Sequence, residues 1–178
     1  MSRSPDAAKR NPGENSSTPS AHSASLQAGY GLRPYETSDE DASIALWLRT
    51  WQATYPELDF AVRLDWWRQR WRSELLPAAA VVVAESGGAM VGFVTVDPRT
   101  LYLDQIVVAP EHWGAGVGVA LIAEAKRISP RGLDLDVNTD NARALGFYAK
   151  QGFVVTGAGS NPISGKPVHR LSWRPQTA

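Results

Sequence analysis

The 178-residue sequence has no cysteine and only three histidines. The absence of cysteine excludes a disulfide framework, a thiolate nucleophile and a cysteine-ligated zinc. The histidines, His22, His112 and His169, lie far apart and form no His-Glu-x-x-His pattern. We therefore expect no metal site in this protein.

Long apolar runs and an excess of one charge are also missing. No run approaches the ~20 apolar residues that cross a bilayer, and the basic residues Arg3, Lys9 and Arg10 are not followed by the apolar stretch of a secretory signal. Eighteen Lys and Arg balance eighteen Asp and Glu, whereas broad nucleic-acid binding relies on excess positive charge. These absences predict a cytoplasmic protein with no membrane and no nucleic-acid partner.

The composition divides the chain into a tail and one domain. Residues 1–29 are rich in Ser, Pro, Ala, Asn and Gly, with Leu26 as the only large aliphatic residue after Met1. Such a segment buries too little apolar surface to offset the entropy lost on ordering. We expect 1–29 to be a disordered tail and 30–175 to be a single folded domain.

Hydrophobic periodicity and turn signals predict seven strands and four helices in this domain. The predicted strands are Leu32–Tyr35, Ala79–Glu85, Met90–Asp97, Tyr102–Val108, Leu133–Val137, Phe153–Thr156 and Val168–Trp173. The predicted helices are one that starts at the Ser38–Asp41 capping box and ends near Tyr55, then Phe60–Leu75, Gly116–Ile128 and Asn141–Gln151. Their order predicts a mixed sheet flanked by helices. Most tryptophans of the first two helices are expected to be packing residues, and a minority to line a substrate cleft.

The most informative segment is a glycine-rich turn between a buried strand and a helix. Gly114, Gly116 and Gly118 alternate there, and glycine allows backbone angles and close approaches that other residues forbid. The free amides at the start of the helix, with the helix dipole behind them, form an anion site that suits a pyrophosphate.

Two other phosphate motifs fit this turn less well. A Rossmann fingerprint that starts at Gly114 has Val119 where Gly or Ala belongs, and no paired βαβ units precede it, although Asp134 and Asp136 lie about twenty residues downstream. A Walker loop needs Gly-Lys-Ser/Thr, but Gly165-Lys166 precedes Pro167. We reject the Walker loop firmly and the Rossmann motif less firmly.

Two motifs in sequence order resemble the GCN5-related N-acetyltransferase (GNAT) superfamily. The family's pyrophosphate motif Gln/Arg-x-x-Gly-x-Gly/Ala corresponds to Trp113–Gly118, with Trp113 replacing the usual Gln or Arg, and its second signature corresponds to Asn141, Tyr148 and Gly152-Phe153. The resemblance covers about residues 31–174 and is weakest in the first two helices. It implies a GNAT-like α/β fold, in which about four helices flank a mixed, mostly antiparallel twisted sheet.

The resemblance also implies a coenzyme site. The backbone of Ile106, Val107 and Val108 is expected to pair with the pantetheine arm of acetyl-CoA, and the Val108 amide to point at the thioester carbonyl. Asn141 is expected to hydrogen-bond the coenzyme. The residues expected to wrap its pyrophosphate are Gly114, Ala115, Gly116, Val117, Gly118 and Val119. A surface arginine is the favoured interpretation of Arg143, with a phosphate contact as the alternative.

The implied reaction is direct attack of a primary amine on the thioester in a ternary complex. Tyr148 is the candidate that protonates the departing thiolate. Asp136, five residues before Asn141, is the first candidate base and Asp104 the second; a paired or solvated strand acid and a water relay are open alternatives. The acceptor is a small-molecule amine or a peptide or protein N-terminus, and the protein a monomer or homodimer. The competing hypotheses are a non-catalytic acyl-CoA sensor and a nucleotide-binding regulatory domain.

Overall fold

The computed structural model describes residues 29–162 and 164–176, which form one seven-stranded sheet with helices on both faces. The predicted tail, 1–29, lies outside the described residues except for Gly29. The strands are β1 Gly31–Pro34, β2 Ala80–Ser86, β3 Ala89–Asp97, β4 Tyr102–Val108, β5 Leu133–Asn138, β6 Val154–Ser160 and β7 Pro167–Trp173. The longer helices are α1 Glu40–Thr54, α2 Leu64–Arg70, α3 Val117–Ile128 and α4 Ala142–Lys150.

The sheet order is β1-β2-β3-β4-β5-β7-β6. Every neighbouring pair is antiparallel except β4 and β5, which are parallel. The α/β fold class with a mostly antiparallel sheet and four helices is therefore confirmed. The parallel pair matters most, because the chain leaves β4, passes through α3 and returns in β5, so that α3 begins at the edge where β4 ends.

Two hydrophobic clusters hold the helices to the sheet. One packs α3 and α4 against β3, β4 and β5, with Leu121 and Ile122 fully buried. The other is aromatic and packs α1 and α2 on the opposite face, where the Trp47 and Trp67 rings stack at a centroid distance of 4.6 Å. Most of the tryptophans are thus packing residues, as the sequence indicated.

Three predicted elements differ from the structure. The helix predicted over Phe60–Leu75 is divided into a 3₁₀ turn Ala61–Arg63, α2, a π-helical turn Trp71–Leu75 and a short Leu76–Ala78. The predicted Ser38–Asp41 capping box is replaced by one in a 3₁₀ turn, Thr37–Asp39, that precedes α1: Glu36 is the N-cap of this turn, and the Asp39 carboxylate accepts the Glu36 N–H at 2.8 Å. Strand β6 extends four residues further than predicted, through the small residues Gly157–Ser160, because each pairs with β7. Tertiary pairing there overrides weak local strand preference.

Among the described residues, no helix combines the length and apolar character that a bilayer crossing requires.

Candidate active site

The strands β4 and β5 separate soon after they meet. They pair at Tyr102 opposite Asp134, where the Asp134 N–H donates to the Leu101 carbonyl at 2.8 Å. Beyond that point a cavity of about 480 Å³ opens, and residues 105–108 of β4 and 136–138 of β5 line it. The split sheet therefore presents two strand edges to one cavity.

The edge of β4 directs backbone amides into this cavity. The Ala109 N–H donates to the Val91 carbonyl at 2.8 Å, and alternate residues of an antiparallel ladder point to opposite sides. The backbone groups of Val108 and Ile106 therefore face away from β3. The Val108 carbonyl already accepts the Trp113 indole N–H at 2.8 Å and the Thr50 hydroxyl at 3.3 Å. Its amide is the group left to donate into the cavity.

The glycine turn forms the other end of the cavity. Gly114 and Gly116 have φ of +82° and +87°, the left-handed region that favours glycine, and Gly116 is the N-cap of α3. The first intrahelical bond runs from the Ala120 N–H to the Gly116 carbonyl at 3.1 Å. The four amides before Ala120, those of residues 116–119, have no intrahelical partner. A helix start of this kind binds anions.

The predicted coenzyme-binding residues converge on this cavity with two exceptions. The predicted residues in its lining are Ile106, Val107, Val108, Gly114, Gly116, Gly118, Val119, Asn141 and Tyr148. Ala115 is exposed and outside the lining, and Val117 is fully buried in the core. The Ala115 N–H already donates to the His112 carbonyl at 3.2 Å, so of these two residues only Val117 has an amide left for a ligand of the turn.

Trp113, the departure from the motif, forms part of the cavity wall with Arg143. The Arg143 guanidinium carbon lies 3.3 Å from the centre of the Trp113 ring, and its Nη2 donates to the Thr54 hydroxyl at 3.2 Å. Burial lowers the Arg143 pKa, and no carboxylate among the described residues pairs with this arginine. Arg143 is exposed on α4, as the favoured interpretation expected, but it lies beside the glycine turn without a carboxylate partner, so the alternative of a phosphate contact stays open.

Tyr148 lies between aromatic neighbours at the cavity wall. Its side chain is 5% exposed, and its ring meets Phe147 and Phe153 edge-on at centroid distances of 5.3 Å. Burial raises the pKa of its phenol. The phenol is therefore held in its protonated, hydrogen-donating form.

The two candidate bases both line the cavity, and both contact arginine. The Asp104 carboxylate accepts two bonds from Arg70, one of them at 2.9 Å, and a third from the Gln105 amide at 2.9 Å. Asp136 accepts a single bond from the Arg170 Nε at 3.2 Å. Asp104 therefore has less accepting capacity left than Asp136.

The sequence interpretation missed Tyr102 and most of the contribution of the first two helices, although Trp51 lines the cavity as expected of a minority of their tryptophans. Tyr102 lines the cavity, and burial together with the negative charges of Asp136 and Asp104 raises its pKa to about 12. Leu103 and Val107 are buried, so alternation along β4 places Tyr102 on the other face of the strand. This alternation was the signal for Tyr102. No local signal identifies the other cavity residues of α1 and α2, which are Thr50, Thr54 and Arg70.

Comparisons with known proteins agree with this architecture. The model of the acetyltransferase (GNAT) family matches residues 41–153. The peptidyl-lysine N-acetyltransferase YjaB of Salmonella typhimurium is 35% identical over 142 residues, which cover 79% of this chain and 94% of that protein. The solution structure of apo-YjaB from Escherichia coli has a TM-score of 0.65 at 29% identity and covers 80% of this chain and 96% of that one.

A more distant solved structure shares the fold. PaiA N-acetyltransferase from Thermoplasma acidophilum, solved in complex with coenzyme A, has a TM-score of 0.67 at 19% identity and covers 82% of this chain and 99% of its own. The family match spans well over half of the present chain, and the YjaB relative is aligned over nearly its whole length. The chain belongs to the acetyltransferase (GNAT) family and is an N-acetyltransferase.

Proposed function

We propose that this protein transfers the acetyl group of acetyl-CoA to the side-chain amine of lysine in a protein or peptide, by direct attack in a ternary complex. One observation carries the proposal: an anion-binding turn, an outward-facing strand edge and a buried phenol border the same cavity. The YjaB relatives from Salmonella typhimurium and Escherichia coli, both named as peptidyl-lysine N-acetyltransferases, support the lysine acceptor. The coenzyme A complex of PaiA supports the donor.

The coenzyme spans the cavity from the turn to the strand edge. Its diphosphate binds the amides of Gly114 and of residues 116–119, and Arg143 supplies the cation that Trp113 does not. Its pantetheine arm follows β4 and takes the place of the missing strand partner. In this structure, the Trp113 indole donates to the Val108 carbonyl. The pantetheine arm therefore either shares that carbonyl with the indole or displaces the indole.

The Val108 amide and Tyr148 stabilise the charges that develop during transfer. The amine nitrogen attacks the thioester carbon, the carbon–sulfur bond breaks, and the electron pair leaves on sulfur. Val108 donates to the carbonyl oxygen while it is negative, a contribution typically worth ~10²–10³ in rate. A thiol of the cysteine type has an ordinary pKa of about 8.5, below that of a buried phenol. Tyr148 therefore stabilises the thiolate mainly as a hydrogen-bond donor.

The proton of the attacking amine leaves through Asp136 or through water beside it. Asp136 forms a single hydrogen bond within the described part of the chain, so it retains accepting capacity that Asp104 lacks. Asp104 instead holds Arg70 in the cavity wall. A lysine amine is mostly charged at neutral pH, so the rate is expected to rise with pH as the neutral amine accumulates.

A thiol-release assay tests the proposal against a non-catalytic acyl-CoA sensor. Full-length protein is mixed with acetyl-CoA and a single-lysine peptide, free thiol is followed with time, and the acetylated atom is located by mass spectrometry. We expect thiol release to depend on the peptide, and the acetyl group to appear on the lysine Nζ. A protein that binds acetyl-CoA without releasing thiol, for peptides and for small amines alike, is a sensor.

A further inference from the structure

A lysine of the chain itself occupies a cation-binding position beside the cavity. The Lys166 ammonium lies 2.9 Å from an oxygen of Asp140 and 4.4 Å from the centre of the Tyr55 ring. A carboxylate and the face of an aromatic ring both attract positive charge. These two side chains, Tyr55 and Asp140, therefore form a position that favours a positive charge.

The site is held in place by contacts that do not involve Lys166. The Tyr55 hydroxyl donates to the other oxygen of Asp140 at 2.9 Å and accepts the Asn138 amide at 3.0 Å. The Tyr55 ring is 7% exposed and stacks on Trp51 at a centroid distance of 6.0 Å. Removal of the Lys166 side chain would leave these contacts intact, so the position is prepared for another cation.

The location connects this site to the acceptor side of the reaction. Tyr55 and Lys166 line a smaller cavity of about 110 Å³, which shares Trp51, Gln105 and Asn138 with the large one. The side chain of Lys166 is 31% exposed and that of Asp140 51% exposed, so an incoming chain reaches both. Successive residues of an extended peptide lie ~3.3–3.6 Å apart, and the shared wall places the smaller cavity beside the path of a peptide whose lysine enters the large one.

We propose that Tyr55 and Asp140 recognise a second positively charged side chain of the acceptor protein, close in sequence to the lysine that is acetylated, and that Lys166 occupies this position in the free enzyme. The inference rests on the proposed lysine acceptor and adds a sequence preference to it. Lys166 is then an internal competitor, which the cationic residue of the substrate displaces.

A simpler role for Lys166 predicts different behaviour. If its ion pair only fastens the segment between β6 and β7, removal of the lysine lowers stability and affects all acceptor peptides equally. If Lys166 is a competitor, removal improves only those peptides that carry a second cation. The two roles therefore differ in substrate dependence, which kinetics measures directly.

The test uses peptides with one lysine and either arginine or citrulline at one of the four flanking positions. Arginine is cationic without being an acceptor amine, and citrulline has nearly the same shape without the charge. We expect kcat/KM to favour the arginine peptide by about threefold to tenfold at one or more positions, mainly through KM, as a partly exposed cation–π contact and ion pair would give.

Three variants locate the preference. Asp140→Asn and Tyr55→Leu should each bring the arginine-to-citrulline ratio towards one, while kinetics with the citrulline peptide and the KM for acetyl-CoA stay close to wild type. Lys166→Met should raise kcat/KM for the arginine peptide by about twofold or more and leave the citrulline peptide unchanged. Lys150→Met, an exposed lysine of α4, is the matched control and should change neither peptide.

Two results would overturn the inference while leaving the proposed function standing. One is a ratio of one at every position in the wild-type enzyme. The other is an equal loss with both peptides in Lys166→Met, together with a lower melting temperature. If no lysine peptide is acetylated at all although acetyl-CoA binds, the proposed function itself fails.

Discussion

Replacement of Gly116 by alanine tests whether the glycine turn serves the coenzyme. Gly116 has φ of +87° and ψ of −10°, and an L-residue in this left-handed region costs about 1–2 kcal/mol. An added Cβ would lie 3.4 Å from the Tyr30 hydroxyl, an ordinary contact, so the cost is backbone strain alone. For a domain of this size, about 1–2 kcal/mol lowers the melting temperature by about 2–8 °C.

The same substitution should weaken coenzyme binding. The strained turn relaxes by rotating its peptide groups, which redirects the amides that face the diphosphate. Each hydrogen bond to a charged group contributes about 1.5–3 kcal/mol, so loss of one raises the Kd for CoA by more than about tenfold. Calorimetric titration with CoA measures this change, and scanning calorimetry measures the stability.

Gly146→Ala is the matched control for this prediction. Gly146 lies within α4, and no atom lies within 4 Å of its added Cβ. Alanine there should stabilise the protein by about 0.5–1 kcal/mol and leave the Kd for CoA unchanged. Wild-type CoA affinity in Gly116→Ala would refute the assignment of the turn to the diphosphate.

Three further predictions follow from the cavity and the sheet edge. Tyr148→Phe should lower kcat by about tenfold to a hundredfold with little change in the KM for acetyl-CoA; equal losses in kcat and in acetyl-CoA affinity would make Tyr148 a packing residue. Arg143→Met should raise that KM by about tenfold and leave kcat nearly unchanged, whereas exposed Arg127→Met should do neither. Arg33 holds the pKa of Asp39 below its ordinary value of 3.8, so this ion pair stabilises the fold above pH 3.8, and the stabilisation is lost as the pH falls through the lower folded pKa. In Asp39→Asn, the free energy of unfolding at neutral pH should fall by about 1–2 kcal/mol, and the part of acid unfolding that comes from protonation of Asp39 should be absent.

The sequence predicted the part of the fold where local pattern and tertiary structure agree. Strand β4 has the predicted bounds Tyr102–Val108, and α3 begins at Val117, one residue later than expected. The alternation of buried and less buried residues along β4 predicts the strand, and the glycines before α3 predict the start of the helix. Both signals are local in the sequence. Most of the predicted coenzyme residues lie along this same segment, which is why they converge on one cavity.

What the sequence could not provide depends on contacts between distant segments. Residues of α1, α2 and the segment after β6 form one wall of the cavity, and the Lys166–Asp140 pair joins residues 26 positions apart. The pairing of Asp104 with Arg70 likewise depends on how α2 packs over β4. The sequence identifies a carboxylate as a candidate base, but it does not show that an arginine distant in sequence occupies the oxygens of that carboxylate.

The most direct test of the whole account follows the backbone amides during titration with CoA. In a two-dimensional ¹H–¹⁵N spectrum, the largest shift changes should occur at Val108 and at residues 114–119, and those of Gly114 and Gly116 should saturate together with one Kd. Saturable binding that leaves these amides unmoved would contradict the account.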